Sequence, residues 1–353
     1  MGMPSDAATL INADIRDYLS TGHTGEFDGV ISDAPYGLGI TADRRSGSHW
    51  DTSGIAFDPS FWSALRQVVR PGGNLASFGH SRTGHRQATA IEDGGWRIVD
   101  SVAHVKSHGF NPGNRGIDTE LNRTGFEDLS SDYTGYTSHL KPAYEPITLA
   151  RNLQRNESLV GAIANGGTGG FHTAALRIPT DDLGRARTPG RVTPSAAWSV
   201  SRPAIRSTPA PDGRHPTNIL FEHARGCVAS ACSEDCGLRA IDEQGRTKYA
   251  DGKDRPSRFF SSLKYAPRAP LSERPRVNGV SAPTVKSQAL LEWLCTLVGV
   301  KHGTTWLDPF CGSGAVAEAV VRAGGRVVSV DLESSYVELA RARFRRLDLA
   351  WEA

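Results

Sequence analysis

No stretch of this 353-residue chain is apolar for long enough to span a bilayer, and residues 1–10 lack the basic start and apolar core of a secretory signal. Cysteine is scarce, five in all, too few for a disulfide framework at this length, so a reducing, cytoplasmic location is expected. Net charge is small, +2 at pH 7, and no internal repeat is present. Two phosphate-binding signatures are missing as well. There is no Gly-Lys-Ser/Thr P-loop, and the glycine-rich turn around Gly312 lacks the three-glycine spacing of a dinucleotide site. These absences argue against an apolar membrane-spanning helix, a disulfide-stapled secreted domain and a P-loop nucleotidase. What remains is an ordinary globular balance of apolar and charged residues, in one large or two modest domains with a substantial core.

The small net charge conceals an uneven distribution. Residues 177–276 carry eighteen Lys/Arg against eleven Asp/Glu, while the rest of the chain is acidic. A basic middle between acidic ends suits contact with a polyanion, although a solvated Arg-rich loop region has the same composition.

Apolar patterning predicts a strand over 10–14, a short helix over 15–19 and a second strand running into Asp33. Residues 37–52 read as a polar loop over a site. A helix is expected over 57–69, stopped by Pro71-Gly72-Gly73, then a strand at 75–78, a helix at 87–92 and a strand at 96–105. This β-α-β alternation argues for a doubly wound, mostly parallel sheet. From 107 to 282 the pattern dissolves into Gly, Pro, Ser, Thr and Arg, with short periodic pieces at 147–149, 159–163 and 219–224, and with 203–213 the most flexible-looking segment. Order returns with an amphipathic helix at 287–298, a strand at 305–307, a helix at 314–323, a strand at 327–330 and a helix at 335–344.

Two stretches carry chemistry. The first strand-turn ends in Asp33-Ala34-Pro35-Tyr36, which offers a carboxylate, a main-chain carbonyl and an aromatic ring side by side. The second, Asp308-Pro309-Phe310-Cys311-Gly312-Ser313-Gly314, links a strand to a helix, and the next strand ends in Asp331. Glycines there let a ligand approach the backbone, and an acid at the following strand end suits a ribose diol.

Together these motifs resemble the Asp-Pro-Pro-Tyr and Asp-Pro-Phe-x-Gly-Ser-Gly signatures of S-adenosylmethionine-dependent DNA amino-methyltransferases, with Ala34 in place of one proline. The catalytic motif precedes the cofactor motif, which is the permuted order of the beta group. Smaller landmarks resemble a phage and prophage branch of that group: Trp50-Asp51, Arg70-Pro71-Gly72-Gly73, Arg82-Thr83, His85-Arg86, Gly109-Phe110, Leu140-Lys141-Pro142, Glu145-Pro146, Gly167-Thr168-Gly169 and His215-Pro216-Thr217-Asn218. The resemblance implies an α/β fold: a permuted, Rossmann-like methyltransferase sheet with helices on both faces and a large irregular DNA-recognition insert. It divides the chain into catalytic residues 1–152, a target-recognition region 153–281 and a cofactor-binding part 282–353.

The resemblance also assigns roles. Asp33 and the Ala34 carbonyl would accept the two N–H bonds of an exocyclic amine, with Pro35 shaping the turn and Tyr36 stacking on the base. Asp308, Pro309, Phe310, Gly312, Ser313 and Gly314 would wall the methionine and ribose of S-adenosylmethionine, Asp331 would hold the ribose hydroxyls, and Asp14 would contact the adenine. Thr284 and Lys286, in Pro283-Thr284-Val285-Lys286, would meet the methionine carboxylate. Cys311 is read as packing. The implied activity is methylation of double-stranded DNA at adenine N6, because an acid opens the first motif; cytosine N4 stays open, as does a DNA-binding homologue weakened at Ala34 and His104. His104 itself reads either as a ring stacking near the base or as a core histidine. No membrane partner is expected, and a homodimer stays open. Within the basic region, His223-x3-Cys227-x4-Cys232-x3-Cys236 has spacing suited to structural zinc, though it lacks C-x2-C knuckles and reduced cysteines packed in a small helical segment would read the same way.

Overall fold

The computed structural model describes residues 7–39, 50–107, 116–179, 213–224, 226–228, 231–245, 256–263, 273–282 and 284–348. The Gly109-Phe110 landmark, Pro283, the loop residues 40–49 and the segment 203–212 lie outside the described residues. Among the described residues nine strands make one sheet: β1 (Ala8–Asn12), β2 (Phe27–Ser32), β3 (Val69–Phe78), β4 (Arg97–Val105), β5 (Tyr144–Arg151), β6 (Ile219–Glu222), β7 (Ser261–Leu263), β8 (Thr305–Asp308) and β9 (Arg326–Asp331). Their spatial order is β1-β9-β8-β2-β3-β5-β4-β6-β7. Only β5 runs antiparallel to its neighbours, β3 and β4; the other pairings are parallel. The helices are α1 (Ile15–Ser20), α2 (Pro59–Gln67), α3 (Gly84–Asp93), α4 (Ile117–Thr124), α5 (Glu127–Ser130), α6 (Leu159–Ala164), α7 (Gly237–Gly245), α8 (Gln288–Val298), α9 (Ala315–Arg322) and α10 (Ser334–Leu347).

The pleat sorts neighbouring strand residues onto opposite faces, and both faces are buried, so the central strands read as continuous apolar runs. Ile31, Ala76 and Leu149 join one core with Leu291 of α8, Val320 of α9 and Phe344 of α10. Their neighbours Val30, Leu75 and Ala150 join the other with Phe61 and Leu65 of α2 and Ile91 of α3. The expected α/β sheet with helices on both faces is therefore present. Its two ends of chain are stitched together: β1 pairs with β9, Ala8 opposite Val327 and Asn12 opposite Asp331. Among the described residues no helix is long and apolar enough to cross a membrane.

Local chemistry sets the helix ends. Asp58 caps α2 through the Ser60 N–H at 2.9 Å with Pro59 in the first turn, and Ser287 caps α8, which closes on left-handed Gly299. The expectation that Pro71-Gly72-Gly73 stops α2 needs correction. The helix ends at Gln67, and these residues form an irregularity inside β3, where the pairing with β2 jumps from Val69 to Asn74. Gly72 has φ +81°, and a Cβ there would lie 2.1 Å from the Thr168 carbonyl oxygen. The Thr168 N–H in turn donates to the Pro71 carbonyl at 2.9 Å. Two separate landmarks thus meet and brace the strand from its start.

The patternless reading of 107–282 also changes. The periodic piece at 147–149 is the middle of β5, eight residues long and internal to the sheet. Polar residues break its apolar rhythm, yet Glu145, Thr148 and Arg151 are buried, and Arg151 Nε donates to Asn74 Oδ1 at 3.2 Å. Residues 219–222 and 261–263 add two more strands beyond β4.

Gly29 sits where β2 lies between β8 and β3. A Cβ there would lie 2.5 Å from both the Asn74 carbonyl oxygen and the Trp306 ring. Gly29→Ala is expected to destabilise the protein by about 2–3 kcal/mol through overpacking, read as a lower guanidinium midpoint at unchanged slope.

Candidate active site

The parallel strands β1, β9, β8 and β2 are neighbours, so their carboxyl ends leave the sheet along one edge. Four acids sit there: Asp14 just after β1, Asp331 ending β9, Asp308 ending β8 and Asp33 just after β2. A cavity of about 370 Å³ opens at this edge, within the range of small-molecule sites. Asp33 and Asp331, nearly three hundred residues apart in sequence, both line it. So do Asp14, Pro35, Thr284 and Lys286, and on the turn Pro309, Phe310, Gly312 and Ser313. Ala34, Tyr36, Asp308 and Gly314 are not among its lining residues.

The glycine-rich turn is tied to Asp331. Its carboxylate accepts the Gly312 N–H at 2.7 Å and the Glu333 N–H at 3.0 Å. Burial pushes this acid up to about 6. Gly314 takes φ +76°, and a Cβ there would meet Ala340 of α10 at 2.9 Å, so this glycine serves close packing. Asp308 is wholly buried, with the Ser329 hydroxyl 3.2 Å from Oδ2, and burial raises it to about 8. That value favours the protonated form at pH 7, and Oδ1 accepts the Phe310 N–H at 3.4 Å, which ties the acid to the turn. Burial likewise raises the thiol of Cys311, which is buried and also lines the cavity.

The other side of the cavity is an ionic cluster. The Lys286 ammonium donates to both Asp33 oxygens at 2.8 and 2.9 Å and to the Tyr36 hydroxyl at 2.8 Å, and lies 3.7 Å from Glu145 Oε1. The Tyr36 hydroxyl stands 3.1 Å from an oxygen of Asp33 and 3.1 Å from one of Glu145. Burial alone would lower Lys286, but the carboxylates of Asp33 and Glu145 reverse this and raise it. Burial alone would raise Glu145, but Lys286, His104 and Lys106 hold it well below the usual carboxylate range. Burial, followed by the charges of Asp33 and Glu145, drives Tyr36 well up, so the phenol stays protonated. Lys286, which the resemblance assigns to the methionine carboxylate, therefore has its ammonium on Asp33.

Several landmarks hold this cluster in place. Thr83 Oγ1 donates to the Tyr36 carbonyl at 2.8 Å, and Asp51 accepts the Gly37 and Leu38 N–H groups, each at 2.9 Å. His104 is buried on β4 opposite Glu145 of β5. Its ring nitrogens lie 3.7 Å from Glu145 and 3.7 Å from Glu222, which makes it a core histidine rather than a ring facing the cavity. Glu145 is the residue that motif reading missed as part of the site. Its place in Glu145-Pro146 was a signal, but its contact with Tyr36 depends on β5 inserting between β3 and β4. Arg16, Ile55, Glu333 and Tyr336 also line the cavity without a motif to mark them. His223, Cys227, Cys232 and Cys236 converge elsewhere, with ligand atoms within 4.8 Å of one another.

A profile of the N6/N4 DNA methylase family matches residues 27–342. The chain belongs to this family. A curated relative, the Type II methyltransferase M2.DpnII of Streptococcus pneumoniae, is 41% identical over 61 residues, 17% of this chain and 22% of that protein. This chain thus spans about a fifth of that relative's length. Among solved structures, the M1.HpyAVI–SAM complex is similar over 95% of this chain and 98% of its own, at 14% identity and a TM-score of 0.42. The cytosine-N4-specific PvuII DNA methyltransferase is similar over 97% and 89%, at 12% identity and a TM-score of 0.47.

The raised Asp308 has a sign that can be checked. With a folded value of about 8 against about 3.9 unfolded, its contribution favours folding at low pH and is lost as pH rises through about 8. Asp308→Asn is expected to flatten the fall in unfolding free energy between pH 5 and pH 9, measured by urea titration at each pH. A parent protein equally stable across that range would show that Asp308 is not protonated in the fold.

Proposed function

We propose that this family member transfers the methyl group of S-adenosylmethionine to the exocyclic N6 of adenine in double-stranded DNA. One observation carries the reading: Asp33 of the catalytic motif and Asp331 of the cofactor motif line one cavity. Its residues fit the cofactor. A carboxylate beside a glycine turn suits a ribose diol, Phe310, Ile15 and Ile55 offer apolar walls for a purine, and Asp14 stands at the same strand edge. When bound, the cofactor would supply an electrophilic methyl on a sulfonium.

The chain's own residues do the rest. A target base inside a duplex must rotate out of the stack to reach the cavity. Asp33 and the Ala34 carbonyl accept the two N–H bonds of the amine, drawing its lone pair out of the ring and toward the methyl. Lys286 orients the Asp33 carboxylate, and the same ammonium, with Glu145, fixes the Tyr36 hydroxyl so that the ring presents one face to the base. When the nitrogen gains the methyl it must lose a proton, and the Asp33 carboxylate is the adjacent acceptor. Replacing a proline by Ala34 adds an N–H but keeps the carbonyl. The excess of basic residues over 177–276 suits phosphate contacts. Adenine is favoured because an acid, not a serine, opens the catalytic motif.

Plasmid from a methylation-deficient host expressing the parent chain is expected to yield N6-methyldeoxyadenosine in nucleoside mass spectrometry, and the Asp33→Ala plasmid none. N4-methyldeoxycytidine instead would transfer the reading to cytosine, and unmodified DNA despite retained DNA binding would overturn catalysis altogether. Glu145→Gln is expected to lower kcat on the order of 100-fold with little change in cofactor affinity, because it loosens Tyr36 and Lys286 without touching the cofactor wall.

A further inference from the structure

Between β6 and α7 the chain makes a compact knot around four side chains. His223 directly follows β6, and its N–H donates to the Leu263 carbonyl of β7 at 2.9 Å. Val228 and Ala231 bond each other's main chains in a small hairpin, which places Cys227 and Cys232 on either side of it. Cys236 stands immediately before α7. All three cysteines are free thiols.

Three observations point to a ligand here. First, two of the separations match those around a tetrahedral ion, and all four ligand atoms lie within 4.8 Å of one another. Cys232 and Cys236 place Sγ 3.5 and 3.7 Å from His223 Nδ1. Zinc bonds of about 2.3 Å to sulfur and about 2.0–2.1 Å to nitrogen, at a tetrahedral angle, require an S···N separation of about 3.6 Å. Second, the surroundings orient the donors. His223 Nε2 lies 3.2 Å from the Ser262 hydroxyl, a partner that leaves the Nδ1 lone pair facing the sulfurs. The Ser233 N–H donates to Cys227 Sγ at 3.3 Å, as it would to a thiolate. Third, the apolar cluster here is small and built on the thiols: among the described residues it is Ala224, Cys236 and Leu238, with Phe221, Cys227 and Cys232 against them. A disulfide would use two of the sulfurs and leave the third, and the imidazole aimed at them, without purpose.

We propose that His223, Cys227, Cys232 and Cys236 form a structural zinc site of the Cys3His type. None of the four lines the catalytic cavity, so no step of methyl transfer passes through the ion. Its role is to fasten the end of β6 to β7 and α7. The residue before His223 is Glu222, which stands 3.7 Å from His104, and His104 stands 3.7 Å from Glu145 behind Tyr36. The ion thereby fixes the outer end of a buried row that backs the catalytic cluster.

The test uses the full chain purified without chelator. Elemental analysis is expected to give one zinc per chain, released in step with organomercurial titration of the thiols. Cobalt exchanged into the site is expected to show tetrahedral ligand-field bands and a thiolate-to-cobalt charge-transfer band. Hydrogen exchange should lose protection over 219–245 on chelation while 305–331 is unchanged. Cys236→Ser should lose the metal, whereas Cys295→Ala, buried in α8, should keep it. Metal-free protein from zinc-supplemented cells with every cluster thiol reactive, or a mass two hydrogens short from an internal disulfide, overturns the proposal. Both outcomes are readable on the parent chain even where a variant does not fold, and neither depends on which base is methylated.

Discussion

One ammonium holds the catalytic side of this protein together. Lys286 reaches Asp33, Tyr36 and Glu145, three groups delivered by the end of β2, the turn after it and the start of β5. A buried cation of this kind is tolerated only when oppositely charged groups surround it, and removing any of them leaves charge stranded in low dielectric. The segments around 33, 145 and 286 must therefore sit against one another in the folded chain. That requirement keeps the permuted halves in register as firmly as the pairing of β1 with β9.

The cofactor side obeys a different rule. There the backbone does the positioning, because parallel strands end together and their turns release side chains into a shared crevice. Acids at those ends then differ by what surrounds them. Burial pushes Asp308, sealed beneath the turn, up to about 8, and Asp331, which lines the cavity, up to about 6. Two aspartates twenty-three positions apart thus differ through burial, which is offset at Asp331 by the Glu333 and Gly312 N–H groups.

The sheet also continues where the sequence looks least ordered. β6 and β7 extend it past β4, and the row Glu222–His104–Glu145 runs across it toward Tyr36. The basic middle of the chain is thereby anchored to the same sheet that carries the catalytic motif. A metal at His223 would stiffen that anchor at the far edge of the sheet.

Much was legible from residues alone. The strands before Asp33 and Asp331, the helices α8 to α10 and the two motifs announced themselves, because local propensity, glycine turns and apolar period act over a few neighbouring residues. The His and Cys spacing was legible for the same reason. Tertiary structure alone decided that β5 inserts antiparallel, that Pro71-Gly72-Gly73 packs on Gly167-Thr168-Gly169, that Lys286 sits on Asp33, and that His104 is walled in by two carboxylates. Each of these is a contact between segments distant in sequence. Burial, charge neutralisation and close packing select such contacts only once the whole chain is assembled, and no short window of residues carries them.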